Sequence, residues 1–293
     1  MPRLTEKLLC ILIALCLYTL AFAAEPADVT VHSEAMHKDI HNLIMLPEDY
    51  ETGKRYPVVY LLHGHNMKYF EWLRVQRDLP KLATEHGVIL VCPDGANSWY
   101  WDSPVNPALR YETYVSEELP KYVDAHYNTI ATKQGRAITG LSMGGHGALW
   151  LAIRHQDTFG ACGSMSGGVD IRPFPNNWNI ADSLGRYEDN PTRWAEHTVM
   201  TQLNKITPGA LAIIIDCGTH DFFYEINENL HRALLKLNIP HDYLSRPGVH
   251  NARYWRNAIL YQLLFFAEYF KSAQQEQKWQ LPASLQTSAP LLF

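Results

Sequence analysis

No stretch of this 293-residue sequence concentrates lysine or arginine, and the formal charge is −5, so no positive field exists to gather phosphates or acidic polymers. That balance speaks against nucleic acid as a partner, and a Gly-rich phosphate loop of the Walker type is missing as well. Cysteine is scarce. Setting aside Cys10 and Cys16 in an N-terminal apolar run leaves Cys92, Cys162 and Cys217, an odd number without short paired spacing. A disulfide framework and a zinc ribbon are therefore not expected, and the three read as buried free thiols beside apolar segments. Nor does any apolar run reach the ~20 residues that a helix needs to cross a bilayer.

The apolar run that is there, Leu8 to Phe22, follows Arg3 and Lys7 and ends in Ala21-Phe22-Ala23, the small-x-small pattern of signal-peptide cleavage. The reading is export with cleavage after Ala23 or one residue later, giving a secreted or periplasmic protein without a stable membrane span. Neither Cys10 nor Cys16 follows a small residue as a lipidation site requires. With 47% hydrophobic and 19% charged residues, the sequence as a whole has the balance of an ordinary folded protein.

From about residue 29 to 271, strand-like and helix-like patterns alternate, which predicts one α/β domain over 24–271 with a mostly parallel central sheet flanked by helices. Strands are expected at Ile40 to Leu46, Pro57 to Leu62, Val88 to Cys92, Arg136 to Leu141, Gly160 to Met165, Leu211 to Asp216 and Asp242 to Arg246. Helices are expected at Leu79 to Glu85, Glu112 to His126, Gly144 to Arg154, Phe222 to Leu237 and Ala252 to Lys271. Val169 to Arg193 breaks the rhythm with Pro173, Pro175 and Trp178 and reads as a surface excursion; residues 272–293 read as a polar tail adding little to the core.

The sharpest signal is Gly140-Leu141-Ser142-Met143-Gly144, G-x-S-x-G between a strand and a helix. Such a turn forces Ser142 into a strained conformation, and side chains at 140 and 144 would collide. The serine then stands at a helix N-terminus, where free N–H groups favour negative charge on a substrate oxygen. A hydroxyl becomes nucleophilic only when a base takes its proton, so a carboxylate and a histidine should follow in that order. The loop Cys217-Gly218-Thr219-His220-Asp221 supplies Asp221, with Asp216 at the strand end as its rival, and Pro247-Gly248-Val249-His250-Asn251 supplies His250. Two N–H donors should form an oxyanion hole, that of Met143 and one from His63-Gly64-His65-Asn66, with His65 favoured over Gly64. The rings of His63 and His65 read as packing or hydrogen-bonding groups; no ligand spacing supports a metal site from His63, His65 and His146, and no cofactor is required.

These residues resemble the esterase D-like branch of the α/β-hydrolases, with tributyrin-type esterases, S-formylglutathione hydrolases, feruloyl and acetylxylan esterases and mycolyltransferases. The matching pieces are Tyr60 to Gly64, Pro93-Asp94-Gly95, Gly140 to Gly145, Cys217 to Phe222 and Gly248 to Asn251, followed by Tyr254 and Trp255. Val249 stands where a second Gly is expected, and His220 where an acidic residue is common. The resemblance implies two-step acyl transfer through an acyl-enzyme on Ser142, acting on a small-molecule or polysaccharide-linked ester with short-chain acyl, acetyl or feruloyl groups. Three other readings stay open: acyl transfer to an alcohol, S-formylglutathione thioester hydrolysis, and a silent binding module. Trp99 and Tyr100, after Pro93-Asp94-Gly95, and Trp178 in the excursion are candidates to line the substrate pocket, with core packing as the competing reading for the first two.

Overall fold

Segments such as Val58-Val59-Tyr60-Leu61-Leu62 carry no polar face, which suits a sheet covered on both sides. The computed structural model describes residues 25–280. Within them eight strands form one sheet in the order β1-β2-β4-β3-β5-β6-β7-β8. The central strands β3 (Val58–Leu62), β4 (Ile89–Pro93), β5 (Arg136–Gly140) and β6 (Ala161–Met165) are buried at every position. β7 (Ala212–Gly218) and β8 (Asp242–Arg246) continue the parallel set, while β1 (Ala27–Ser33) and β2 (Lys38–Met45) form a hairpin whose second strand pairs antiparallel with β4.

Helices cover both faces. Met143, Leu149 and Trp150 of α5 (Met143–Arg154) belong to one core layer with Leu230 of α8 (Tyr224–Lys236) and with a helical run that precedes them. That run is α3 (Tyr111–Thr113), a π turn (Tyr114–Glu118) and α4 (Leu119–His126). On the other face Trp72 of α1 (Glu71–Val75) and Leu79 of α2 (Leu79–His86) pack with Ile259 and Phe266 of α9 (Ala252–Gln280). Cys92, Cys162 and Cys217 are buried free thiols.

Several features depart from the sequence reading, among them the short helix α1, where none was expected. β1 was not expected, because its sequence ADVTVHS is mostly polar and exposed, with Val31 as its buried apolar contact. The excursion contains two short helices, α6 (Ile180–Leu184) and α7 (Pro191–Glu196), the second running past the expected end at Arg193. α9 continues beyond Lys271 to Gln280, and Ala273 is still buried. The expected signal segment 1–23 and residues 281–293 of the expected tail lie outside the described residues.

Candidate active site

Ser142 sits between the end of β5 and the first residue of α5 with φ 56° and ψ −118°, a left-handed conformation that non-glycine residues adopt only under constraint. The constraint is visible. Ser142 N–H donates to Met165 O at 2.9 Å, and its carbonyl accepts from His146 N–H at 3.1 Å and Gly168 N–H at 3.3 Å. A Cβ on Gly144 would come within 2.3 Å of Leu62 O, and one on Gly140 within 2.5 Å of the Gly144 backbone. Both glycines are therefore required by close backbone approach, and the turn lifts the Ser142 hydroxyl above the sheet.

Asp221 and His250 lie on the loops that leave β7 and β8 at the same rim. The structure brings them to the serine: His250 Nε2 is 2.9 Å from Ser142 Oγ, and His250 Nδ1 is 2.9 and 3.0 Å from the two Asp221 oxygens. A carboxylate only accepts, so the Nδ1 proton points to Asp221 and Nε2 keeps its lone pair for the serine hydroxyl. The Asp221 side chain is fully buried, that of His250 is 14% exposed, and Asp221 Oδ1 also accepts Phe223 N–H at 2.8 Å. Two backbone bonds tie the loops together, Thr219 N–H to Arg246 O and His220 N–H to Gly248 O, each 2.9 Å. Asp216, the rival acid, faces away: its carboxyl accepts from Arg246 and Tyr254.

The donors expected for an oxyanion lie on either side of the serine. Met143 is the first residue of α5, so the helix ladder does not use its N–H. The loop after β3 packs against the nucleophile, since a Cβ on Gly64 would stand 3.5 Å from Ser142 Cβ. His63, fully buried, fixes that loop. Its Nε2 accepts Gly95 N–H at 2.8 Å, which leaves the proton on Nδ1 to donate to Gly64 O at 2.8 Å. Gly64 C=O and His65 N–H belong to one trans peptide and point in opposite directions, so pinning the carbonyl aims the N–H. Burial depresses the basicity of the His65 ring. With both ring nitrogens of His63 engaged and His146 Nε2 facing His197 O, the histidines do not form a ligand set, and no metal-holding group occurs among the described residues.

The pocket expectations for Trp99 and Tyr100 need correction: they are 1% and 0% exposed. Consecutive left-handed residues, φ 55° and 61°, fold both rings inward. Trp99 stacks on Trp101, and Tyr100 fills the space over Gly95 and Gly147 while its hydroxyl donates to His63 O at 3.1 Å. Trp178 is half-buried and leads to the site through residues that the sequence reading missed. It stacks on Phe222 with centroids 5.8 Å apart, and Phe222 tilts over the His250 ring at 4.2 Å. Phe222 is 53% exposed and Val249 46%, so an apolar, aromatic wall stands beside the base. The adjacent Phe222-Phe223 pair was the available signal, since one ring of such a pair packs inward and leaves the other outside.

The Esterase family model matches residues 33–266. Esterase Rv1288 of Mycobacterium tuberculosis is 35% identical over 137 residues, 44% of this chain; the chain spans only 29% of that protein's length. An acetyl esterase of Caldicellulosiruptor saccharolyticus is 24% identical over 252 residues, covering 79% of this chain and 94% of the relative. A solved ferulic acid esterase superposes with TM-score 0.72 at 28% identity over 84% of this chain and 98% of that one. The Staphylococcus aureus fluorophosphonate-binding serine hydrolase FphF gives TM-score 0.74 at 22% identity over 83% of this chain and 98% of its own, a likeness of fold. Taken with the mostly parallel sheet, these place the chain in the α/β-hydrolase fold and make it a member of the Esterase family.

Proposed function

We propose that this chain is an exported serine esterase that hydrolyses carboxylic esters through Ser142, His250 and Asp221. The observation that carries the reading is the unbroken relay from Ser142 Oγ through His250 to the buried Asp221 carboxylate. As Ser142 Oγ bonds to the ester carbonyl carbon, its proton passes to His250 Nε2, and the carbonyl π electrons move to oxygen. Met143 and His65 N–H receive that oxyanion. Collapse breaks the bond to the alcohol, which leaves with the proton from His250. Water then repeats the sequence on the acyl-enzyme, releasing the acid and restoring Ser142. Asp221 holds the imidazole in the required tautomer and stabilises its charge.

Two observations support acyl groups of the acetyl or feruloyl kind, borne by small esters or polysaccharide. Relatives carry the names acetyl esterase and ferulic acid esterase, and the Phe222–Trp178 wall offers flat apolar surface to an aromatic acyl or alcohol. Turnover of p-nitrophenyl acetate is expected, with a loss of several orders of magnitude in Ser142→Ala while the fold persists; unchanged turnover would remove Ser142 from the mechanism. A panel of acyl chain lengths with acetylated and feruloylated xylans assigns the substrate. Export rests on residues 1–23, and N-terminal sequencing of the mature protein tests it. Acyl transfer to an alcohol is the second reading, favoured by 29% identity over 181 residues to the diacylglycerol acyltransferase/mycolyltransferase Ag85B of Mycolicibacterium smegmatis. Adding an alcohol acceptor distinguishes it, because a transferase forms the new ester in preference to free acid.

A further inference from the structure

The loop that carries the base is exposed and thinly packed. Pro247, Val249 and Asn251 face solvent, and a cavity of about 580 Å³ lined by Arg246, Gly248, Tyr254 and Asn257 lies against it. The His250 ring itself packs against Phe222, Phe223 and Trp255, but the backbone on either side of it borders solvent and this cavity. The two ends of the loop are held by polar contacts. Arg246 immediately precedes it and Tyr254 follows it on α9, and both donate to the same carboxyl, that of Asp216, which is 0% exposed.

We propose that Asp216, Arg246 and Tyr254 are positioning residues that clamp both ends of the 247–253 segment and keep His250 in bonding register with Ser142; this rests on the esterase reading above. Each member contributes a distinct restraint. Tyr254 Oη donates to Asp216 Oδ1, and its ring lies so close over Gly248 that a Cβ there would come within 2.1 Å of it. Tyr254 N–H closes the turn on Asn251 O at 3.1 Å. Arg246 donates to Asp216 Oδ2 and to Asn257 Oδ1, and its guanidinium lies 4.4 Å from the Tyr261 ring centroid, so α9 holds it from two sides.

Asp216 also reaches the nucleophile's side of the site. Its backbone carbonyl accepts Ser166 N–H at 2.8 Å, and the neighbouring Met165 carbonyl accepts Ser142 N–H. One residue thus fixes the histidine loop through its side chain and the strand end that supports the elbow through its backbone. Because the carboxyl is buried, losing either partner leaves it short of a donor. An imidazole displaced by even a fraction of an ångström loses alignment with Oγ, while the Phe222–Trp178 part of the substrate wall, which belongs to the acid loop and the excursion, stays in place.

The test is Tyr254→Phe in the full chain, which keeps the ring over Gly248 and removes only the hydroxyl. Its kcat on p-nitrophenyl acetate should fall on the order of ten- to a hundred-fold with KM within about two-fold. The rate of Ser142 modification by a fluorophosphonate should fall in parallel. The low-field proton resonance of His250 Nδ1–H should weaken or vanish in the proton NMR spectrum. Wild-type kcat and resonance in Tyr254→Phe, with only the melting temperature lowered, would overturn the proposal provided Ser142→Ala abolishes turnover. If Ser142→Ala also turns over normally, the failure lies in the triad instead. Should Tyr254→Phe not fold, Arg246→Lys decides by the same readouts: the proposal requires a kcat loss at constant KM, and wild-type kcat refutes it.

Discussion

Replacing Asp221 by Asn tests the relay more stringently than removing the nucleophile, because it changes which nitrogen carries a proton and almost nothing else. The two Asp221 oxygens are not equivalent. Both lie within reach of His250 Nδ1, Oδ1 at 3.0 Å and Oδ2 at 2.9 Å, but Oδ1 alone also accepts Phe223 N–H, at 2.8 Å. In the Asn variant the amide oxygen is held by Phe223 N–H, since the reverse orientation would leave that buried donor unsatisfied at a cost of about 1–3 kcal/mol. The amide NH₂ then faces Nδ1, which must become an acceptor, and the imidazole proton moves to Nε2. His250 now offers Ser142 a donor where the reaction needs a lone pair. The expected loss is about 10⁴-fold in kcat, or about 5.4 kcal/mol at about 1.36 kcal/mol per decade. KM and melting temperature should barely change, because a fully buried carboxylate is replaced by a group of nearly identical shape. Steady-state kinetics on p-nitrophenyl acetate, with active sites counted separately by slow fluorophosphonate labelling, measures this. A variant within tenfold of wild type would show that the Asp221–His250 contact does not set the tautomer, and the relay reading would fall.

Two further perturbations probe what surrounds the site. Glu112 accepts from Trp150 Nε1, Arg154 Nε and His155 Nε2; burial would raise its pKa, but the His155 and Arg154 bonds and the Arg154 charge outweigh burial and bring it down to about 2. A depressed carboxyl stabilises the fold above its ordinary value of 4.5 and stops doing so as pH falls through about 2. Glu112→Gln should therefore lower the unfolding free energy by about 3 kcal/mol at pH 7, with the difference closing between about pH 4.5 and 2; urea titrations at pH 7, 4 and 3 check this, and a pH-independent difference refutes it. His63→Phe keeps a buried ring but frees Gly64 O and Gly95 N–H, so the His65 N–H loses its aim. A fall in kcat of about tenfold or more at nearly constant KM is expected; an unaltered kcat would mean that the Gly64–His65 peptide is held by other contacts.

What could be read from the sequence was whatever is local. The strand, the two glycines and the helix around Ser142 are contiguous, so the turn announces itself, and the sheet was legible because the central strands are buried on both faces. Asp221 is favoured over Asp216 because it lies out on the loop, but spacing alone leaves Asp216 as a rival. They differ in which way the chain turns after β7, one carboxyl facing α9 and the other meeting His250, and that depends on Arg246 and Tyr254, residues thirty and more positions away. Trp99 and Tyr100 misled for a related reason. Their inward course follows from two successive left-handed residues without a glycine to mark them, held by Ser98 Oγ accepting Tyr100 N–H at 3.0 Å.

The same logic explains why the exposed member of the Phe222-Phe223 pair, and not the tryptophan-rich segment, ends up beside the base. Phe223 N–H must reach Asp221 Oδ1, which turns the Phe223 ring into the core, and the neighbouring side chain is thereby left at the surface over His250. The hydrogen bond that fixes the acid thus also sets the apolar wall that a substrate meets. Substitutions at Phe222 should consequently alter preference among acyl groups while leaving the hydrogen bonds of the relay in place, whereas substitutions at Phe223, whose N–H holds Asp221 Oδ1, should disturb both; kcat/KM for a series of p-nitrophenyl esters measures each.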